Sequence, residues 1–360
     1  MIVLAALVLY LFVAPPYVVD GDNAEFSTLS AVGGVAHPPG YPLYVLYLRA
    51  LSWLPGASPA HTASIATALI TAAQLLVLHA ACRAWGARPL AATVAVAIFA
   101  AGPVVLRVQS EAEVFALNGL VVALVLWLAP KQGPVTGLWR AGLLGFVAGL
   151  GLANHTTCVL VAPVGLLGVV RGMREAGTPV RAAVLAVAGL VVGLTPYLYL
   201  FIAPATRISW AEIDSAVELV HHMLRYDFGG PAAFARSGAE PEYAANVVAL
   251  AATLARGWLW LPLAVGLGML ALAIAKPRAG ETRWMWSMLA VAFVIAGPLL
   301  VMRFNLPPRN LTLHMCQRFH LLPLVLLTIP VAVGLDQLAT KLRVRVRPVV
   351  VVLPVIGFVV

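Results

Sequence analysis

Apolar residues run through this chain in long blocks, and the polar residues are crowded into the gaps between them. Blocks long enough to cross ~30 Å of hydrocarbon lie near residues 2–19, 61–82, 88–106, 114–130, 137–153, 155–171, 180–202, 248–275, 284–302, 320–339 and 348–360. They predict an all-α polytopic membrane protein with about eleven transmembrane helices, read as a single domain over 1–360. Segment 41–54 is apolar too, but it is short, carries Arg49 and is bounded by Pro42 and Pro55. The gap before it, DGDNAEFSTLSAVGGVAHPPGYPLY from Asp20 to Tyr44, is unlike its surroundings. Asp20, Asp22 and Glu25 fall within six residues at the end of the first block, and a His-Pro-Pro-Gly-Tyr-Pro turn follows at His37 to Pro42. Carboxylates are costly to keep near hydrocarbon, so their clustering points to function. A solvated loop that merely ends a helix is the plainer reading of any one of them.

Composition narrows the class. With 62% hydrophobic and only 10% charged residues, the chain is no soluble domain, whose charged fraction is about a quarter. The net charge of +9 would suggest nucleic acid in a soluble protein, but no basic or aromatic array supports that partner. The basic residues act instead as topology signals. If the N-terminus is inside and 41–54 does not cross, cytoplasmic loops hold 14 of the 23 Lys and Arg residues, while all acids but Glu175, Glu281 and Asp336 lie outside or at the outer edge. Crossing by 41–54 would invert that bias, so it is read as an interfacial or re-entrant helix in a first outer loop spanning 20–60. Cys82, Cys158 and Cys316 lie far apart beside apolar residues and read as packing residues. Segment 2–19 lacks a basic start and a small-residue cleavage site, so it is read as a retained helix.

This topology places five polar clusters on one side: Asp20 to Pro42, Arg107 to Asn118, Asn154-His155, the 203–247 loop, and Arg303 to His320. Individually they have plain explanations. Asn154-His155 reads as a helix–helix turn, and Glu111 and Glu113 suit a helix N-terminus. Their common side predicts a site at the outer boundary. In the 203–247 loop, Ile213, Val217, Leu219, Val220, Met223 and Leu224 recur at roughly helical spacing, predicting an interfacial amphipathic helix. His221 and His222 are adjacent and would point about 100° apart on it, which disfavours shared zinc. Trp210, Arg225 and Tyr226 suit either a phosphate or sugar ligand or anchoring at the headgroup level. Arg303, Arg309 and Arg318 sit beside the last complete span. Their planar forks match phosphate oxygens, with snorkelling the alternative for any single one.

Together, GDNAEF, GVAHPPGYPLY, EVFALN, NHTT, LTPYLYL and the late Arg-Phe-His resemble the family of integral membrane glycosyltransferases that includes the eukaryotic plexin-type protein O-mannosyltransferases, within the broader GT-C architecture. The resemblance runs from about residue 15 to 230, with a weaker echo near Arg318, and looks like that of a bacterial member. It implies a GT-C-like fold with an acidic first outer loop. The implied enzyme transfers a mannose-like hexose from a polyprenyl-phosphate carrier to an acceptor hydroxyl; the acceptor itself, a protein at Ser or Thr or a glycolipid, is not carried over by the resemblance. It would sit in the inner membrane with its active site on the periplasmic side, among membrane lipids. By motif position Asp22 takes the place of the catalytic acid and Glu25 the second; Asn23-Ala24 replaces the Ser-Gly common between them.

The chemistry follows from the residue types as well. Displacing a lipid phosphate from an anomeric carbon needs a base for the acceptor proton and cations for the leaving group. Desolvation raises a boundary carboxylate towards a useful base, which suits Asp22, and a single displacement would invert the anomeric centre. Arg318 and Arg225 are candidates for the phosphate. His37 and Tyr41 in the Pro-rich turn, with Glu113, Asn118, Asn154 and His155, would line the rest of the substrate site. A divalent metal is compatible with this many acids, although no ligand spacing demands one. The competing class is a multi-pass transporter or lipid flippase, which would place its polar residues near the midplane and often repeat itself internally. The chain ends at Val360 inside an apolar run, which leaves room for a further C-terminal domain.

Overall fold

The computed structural model describes residues 2–230, 242–277 and 283–342, and every regular element among them is helical. In chain order these are α1 (Ile2–Val13), α2 (Asn23–Val32), α3 (Pro42–Ala50), α4 (Pro59–Ala84), α5 (Pro89–Ala101), α6 (Pro103–Ser110), α7 (Phe115–Leu128) and α8 (Gly137–Leu152). There follow α9 (Ala162–Ala176), α10 (Pro179–Gly193), α11 (Ala216–Met223), α12 (Tyr243–Trp258), α13 (Trp260–Ala275), α14 (Arg283–Val294), α15 (Asn310–Phe319) and α16 (Leu321–Lys341). Tight turns at Thr156–Val161 and Thr195–Phe201 extend α9 and α10. Proline opens α3, α4, α5, α6 and α10 at the first turn, where its missing N–H has no intrahelical partner to lose.

Among the described residues four continuous stretches are long and apolar enough to cross a bilayer: Pro59–Ala84, Thr156–Ala176, Pro179–Phe201 and Leu321–Lys341. Val180, Val184, Val187 and Val191 point outward along α10, as a lipid-facing helix requires. The chain is a multi-pass membrane protein; among the described residues four helices, or six if two bent pairs each count as one, reach spanning length, so the expected count of eleven is not confirmed. Ile2–Val13, Phe115–Leu128, Gly137–Leu152 and Arg283–Leu299 are apolar but shorter. The expected 88–106 span breaks by 68° between α5 and α6, at Gly102-Pro103, where proline cannot donate to the preceding turn. The expected 248–275 span breaks by 107° between α12 and α13, at Leu259, whose φ is 57°. The expected span 348–360 and the stretch 231–241 of the expected outer loop lie outside the described residues. Segment 41–54 forms α3, nine residues or about 14 Å long, too short to cross.

The centre of the bundle is α16, buried without interruption from Leu321 to Gly334, chiefly against α13 and α5 and also against α7 and α4. Helices α8 and α10 meet through glycines: a Cβ on Gly145 would lie 1.9 Å from the Ala186 carbonyl oxygen, and one on Gly193 2.3 Å from that of Phe146. In hydrocarbon there is little hydrophobic gain from helix association, so such backbone approach supplies the contact. This rigid bundle carries the short helices α2, α3, α6, α11, α12 and α15, and their loops build the site.

Candidate active site

All five polar clusters contribute to the wall of one cavity of about 770 Å³. The first loop enters it through Gly21, whose φ is +81° and whose Cβ would stand 3.0 Å from Glu113 Oε1 and 3.1 Å from Arg318 Nη1. This position needs glycine both for its left-handed backbone and for the approach. Asp22 and Glu25 then occupy the N-cap and third positions of α2, where such a pair ordinarily caps its own helix. Here both side chains are diverted. Asp22 Oδ2 accepts from Arg318 Nη1 at 3.0 Å, and the same nitrogen donates to Glu113 Oε1 at 2.8 Å. The Asp22 N–H donates to Glu113 Oε1 at 3.2 Å. Among the described residues Asp22 Oδ1 has no partner, and it belongs to a side chain 37% exposed on the cavity.

Glu25 is fully engaged. Its Oε1 accepts from the His37 N–H at 2.7 Å, and its Oε2 lies 2.5 Å from His37 Nδ1. A proton on Nδ1 satisfies that contact and leaves Nε2 to accept from the Tyr41 hydroxyl at 3.0 Å. Tyr41 is held at φ 44° at the start of α3, a strained backbone of the kind that collects at functional sites. Glu25, His37 and Tyr41 thus form a fixed relay along one wall.

The electrostatics separate the carboxylates. Glu113 is 1% exposed, and burial pushes its carboxyl up to about 8 against the pull of Arg318. Burial likewise lifts Glu111 to about 7, with Arg107 opposing it. Burial works against the charge on Arg318, but Glu113 and Asp22 outweigh it and hold the guanidinium above its usual range. The positive charge of Arg318 is therefore committed to two acids.

A second part of the wall comes from the 203–230 segment, stitched onto the first loop. The Trp210 N–H donates to Val35 O at 2.9 Å, and His222 Nε2 donates to Ala36 O at 2.9 Å. Trp210 Nε1 donates to Asp227 Oδ2 at 2.9 Å. Trp210 and Phe228 present their rings to His37 with centroids 6.2 and 6.3 Å away. Between them Arg225, in a left-handed backbone at φ 59°, lays its guanidinium 5.3 Å from the Phe228 centroid. Arg225 makes no ion pair among the described residues, and its buried Nε has no hydrogen-bond partner.

Of the ten expected site residues, Asp22, Glu25, His37, Tyr41, His155, Arg225 and Arg318 line the cavity. Glu113 stands directly behind Arg318. Asn118 and Asn154 do not reach it: Asn118 Nδ2 donates to Thr157 Oγ1 at 3.2 Å, and Asn154 Nδ2 to Val114 O at 3.2 Å, both fully within the packing. His155 faces the cavity, with Nδ1 2.7 Å from Thr157 Oγ1. The aromatic lining joins Trp210, already a candidate for a sugar contact, to Phe115, Phe228 and Phe319, which were not among the expected residues. Its sequence signal, aromatic residues in otherwise polar loops, was visible only for Trp210. Among the described residues no group of three His, Cys, Asp or Glu side chains is arranged to hold a metal ion. With Asp22 turned to Arg318 and Glu25 to His37, the two loop acids do not fit a metal.

The family model described as the protein O-mannosyl-transferase TMEM260 N-terminal domain matches residues 22–176, beginning on Asp22 itself. Over that segment the chain is similar to the N-terminal domain of the TMEM260 protein O-mannosyltransferases. The protein O-mannosyl-transferase tmem260 of Dictyostelium discoideum is 26% identical over 245 residues, 62% of this chain and 30% of the relative. The protein O-mannosyl-transferase TMEM260 of Mus musculus is 28% identical over 222 residues, 58% of this chain and 31% of the relative. The matched region spans less than a third of either relative's length. No solved structure matches the chain. The matched segment contains Asp22, Glu25, His37, Tyr41, Glu113 and His155, whereas Arg225 and Arg318 lie beyond it.

Proposed function

We propose that the protein is a membrane glycosyltransferase that moves a mannose-like hexose from a polyprenyl-phosphate carrier to an acceptor hydroxyl, such as a protein Ser or Thr, at the extracytoplasmic face of a bacterial inner membrane. The observation that carries this reading is one cavity with a carboxylate oxygen free on one part of the wall, Asp22 Oδ1, and an unpaired guanidinium on another, Arg225. A volume of about 770 Å³ is within the range of sites for small ligands, and the aromatic surfaces of Trp210 and Phe228 suit the apolar face of a sugar.

In this mechanism the acceptor hydroxyl attacks the anomeric carbon while its proton passes to Asp22 Oδ1. The bond from that carbon to the phosphate oxygen breaks, and the leaving lipid phosphate takes the electron pair next to Arg225. A single displacement inverts the anomeric configuration. Arg318 holds Asp22 by its other oxygen, so the base does not swing away. Glu25 acts as a positioning residue: it fixes the His37 tautomer, and His37 in turn orients the Tyr41 hydroxyl towards the sugar. General-base catalysis of this kind contributes about 10²- to 10⁴-fold.

The test is transfer by purified protein in lipid, with radiolabelled polyprenyl-phosphate sugars as donors and cell-envelope fractions as acceptors. Wild type should transfer one sugar, and Asp22→Asn should abolish transfer without loss of folded protein. Transfer that survives Asp22→Asn removes the base from the first loop. Absence of transfer from every donor, together with substrate flux in sealed vesicles, would replace the transferase by a transporter.

A further inference from the structure

A second cavity, about 290 Å³, lies where α6, α12 and α15 meet, and it shares no lining residue with the first. Each helix brings one basic side chain to it: Arg107 from α6, Arg256 from α12 and His314 from α15. Its remaining lining includes Val104 and Leu313, so an apolar floor sits beneath a cationic rim. Arg107 is half-buried. It donates through Nη2 to Gln317 Oε1 at 2.9 Å and also faces the acids Glu111 and Asp20. Arg256 and His314 are exposed, and Arg256 makes no ion pair among the described residues. Just beyond Arg256, at the bend into α13, Trp260 and Leu261 are 79% and 68% exposed, as expected of side chains embedded at a bilayer boundary.

Three basic groups from segments far apart in sequence, over apolar residues and beside an interfacial tryptophan, match an anionic amphiphile. We propose that this cavity binds the phosphate of a lipid headgroup, at a site separate from the catalytic cavity. Helix α15 is the partition between the two: Leu313, His314 and Gln317 face the headgroup site, while Met315, Cys316, Arg318 and Phe319 face the catalytic cavity. A phosphate seated between Arg107, Arg256 and His314 clamps α15 against α6 and α12 and so fixes the helix that carries Arg318.

Native mass spectrometry of the purified full chain tests the site without any assay of transfer. Phosphatidylglycerol and polyprenyl monophosphate are titrated separately, each with and without inorganic phosphate, and phosphatidylcholine serves as the zwitterionic reference. Arg256→Gln should weaken binding of a phosphate lipid about fivefold, the loss of roughly 1 kcal/mol for one basic residue at a membrane surface. Arg256→Gln with His314→Gln should weaken it further. Arg207→Gln, which removes an equally exposed charge elsewhere, should leave binding unchanged. Preference for one of the two lipids identifies the source of the phosphate, and competition by inorganic phosphate shows recognition of the phosphate alone. Equal lipid retention in wild type and the double variant would overturn the site, as would an equal loss in Arg207→Gln.

Discussion

The most informative perturbation is Arg318→Gln, because one nitrogen of Arg318 holds both Asp22 and Glu113. Its removal leaves Glu113, 1% exposed, with the Asp22 N–H as its remaining donor and with Oε2 already unpartnered. Breaking a buried pair from one side costs about 3 to 5 kcal/mol when the stranded charge persists. Glu113 can escape part of that cost by taking up a proton, so a loss of about 2 to 3 kcal/mol is expected. Arg318→Gln with Glu113→Gln replaces both charges by neutral amides of similar shape. The remaining acid, Asp22, is 37% exposed and can be solvated. The double variant should therefore recover at least about 1.5 kcal/mol of the loss, a coupling typical of residues in contact. The assay is the thermal midpoint of the four proteins of this cycle in one detergent at pH 9, above the Glu113 value of about 8 so that the carboxylate is charged in wild type, with sugar transfer measured in parallel. Transfer should fall about 100-fold in both variants lacking Arg318, since Asp22 is no longer held. Additive losses in the double variant, or wild-type transfer by Arg318→Gln, would refute the ion-pair reading.

Stability should depend on pH through Glu113. Its folded value of about 8 exceeds the ordinary 4.5, so the protonated folded state is favoured. The stabilisation is fully present below about 4.5 and is lost as pH rises to about 8, by about 1.4 kcal/mol per pH unit inside that window. Thermal midpoints taken from pH 7 to 8.5, above the Glu111 value of about 7, should fall for wild type and flatten in Glu113→Gln. Gly21→Ala should cost more than 1 kcal/mol and reduce transfer, because it strains a positive φ and presses on Glu113 and Arg318; an unchanged melt and rate would show that the loop yields freely. Arg225→Gln should raise KM for the lipid-phosphate donor about tenfold or more, with little change in thermal midpoint, as expected for loss of a charge-assisted contact to ligand rather than to protein. An effect on kcat alone would move Arg225 from binding the phosphate to another role.

The acidic loop and the turn at His37 to Pro42 were legible because their signal is local: charge, glycine and proline concentrated where an apolar chain can least accommodate them. The convergence with Arg318, 296 residues from Asp22, was legible only as a shared side of the membrane. Which arginine is consumed by protein carboxylates and which stays free for a ligand was not legible, since Arg225 and Arg318 look alike in sequence. Asn118 and Asn154 were placed in the substrate site because polar residues between spans resemble ligands, whereas each pairs with a neighbouring loop group. The break at Gly102-Pro103 could have been read from proline. The sharper turn at Leu259 could not, because hydropathy reports the environment of residues 248–275 and not the direction of the helix axis. Arg256, Gly257 and two tryptophans within that block were its only trace.

The shortness of several apolar helices bears on the bilayer itself. Helix α13, freed from α12 by the bend at Leu259, has 16 residues, and α7 has 14, lengths of about 24 and 21 Å against ~30 Å of hydrocarbon. Such hydrophobic mismatch is relieved by thinning the surrounding lipid. A membrane drawn in around this protein would bring the headgroup plane down to the short helices at the mouth of the cavity. A donor anchored by its polyprenyl tail would then meet Asp22 and Arg225 at the level where its phosphate already lies, without being lifted out of the lipid.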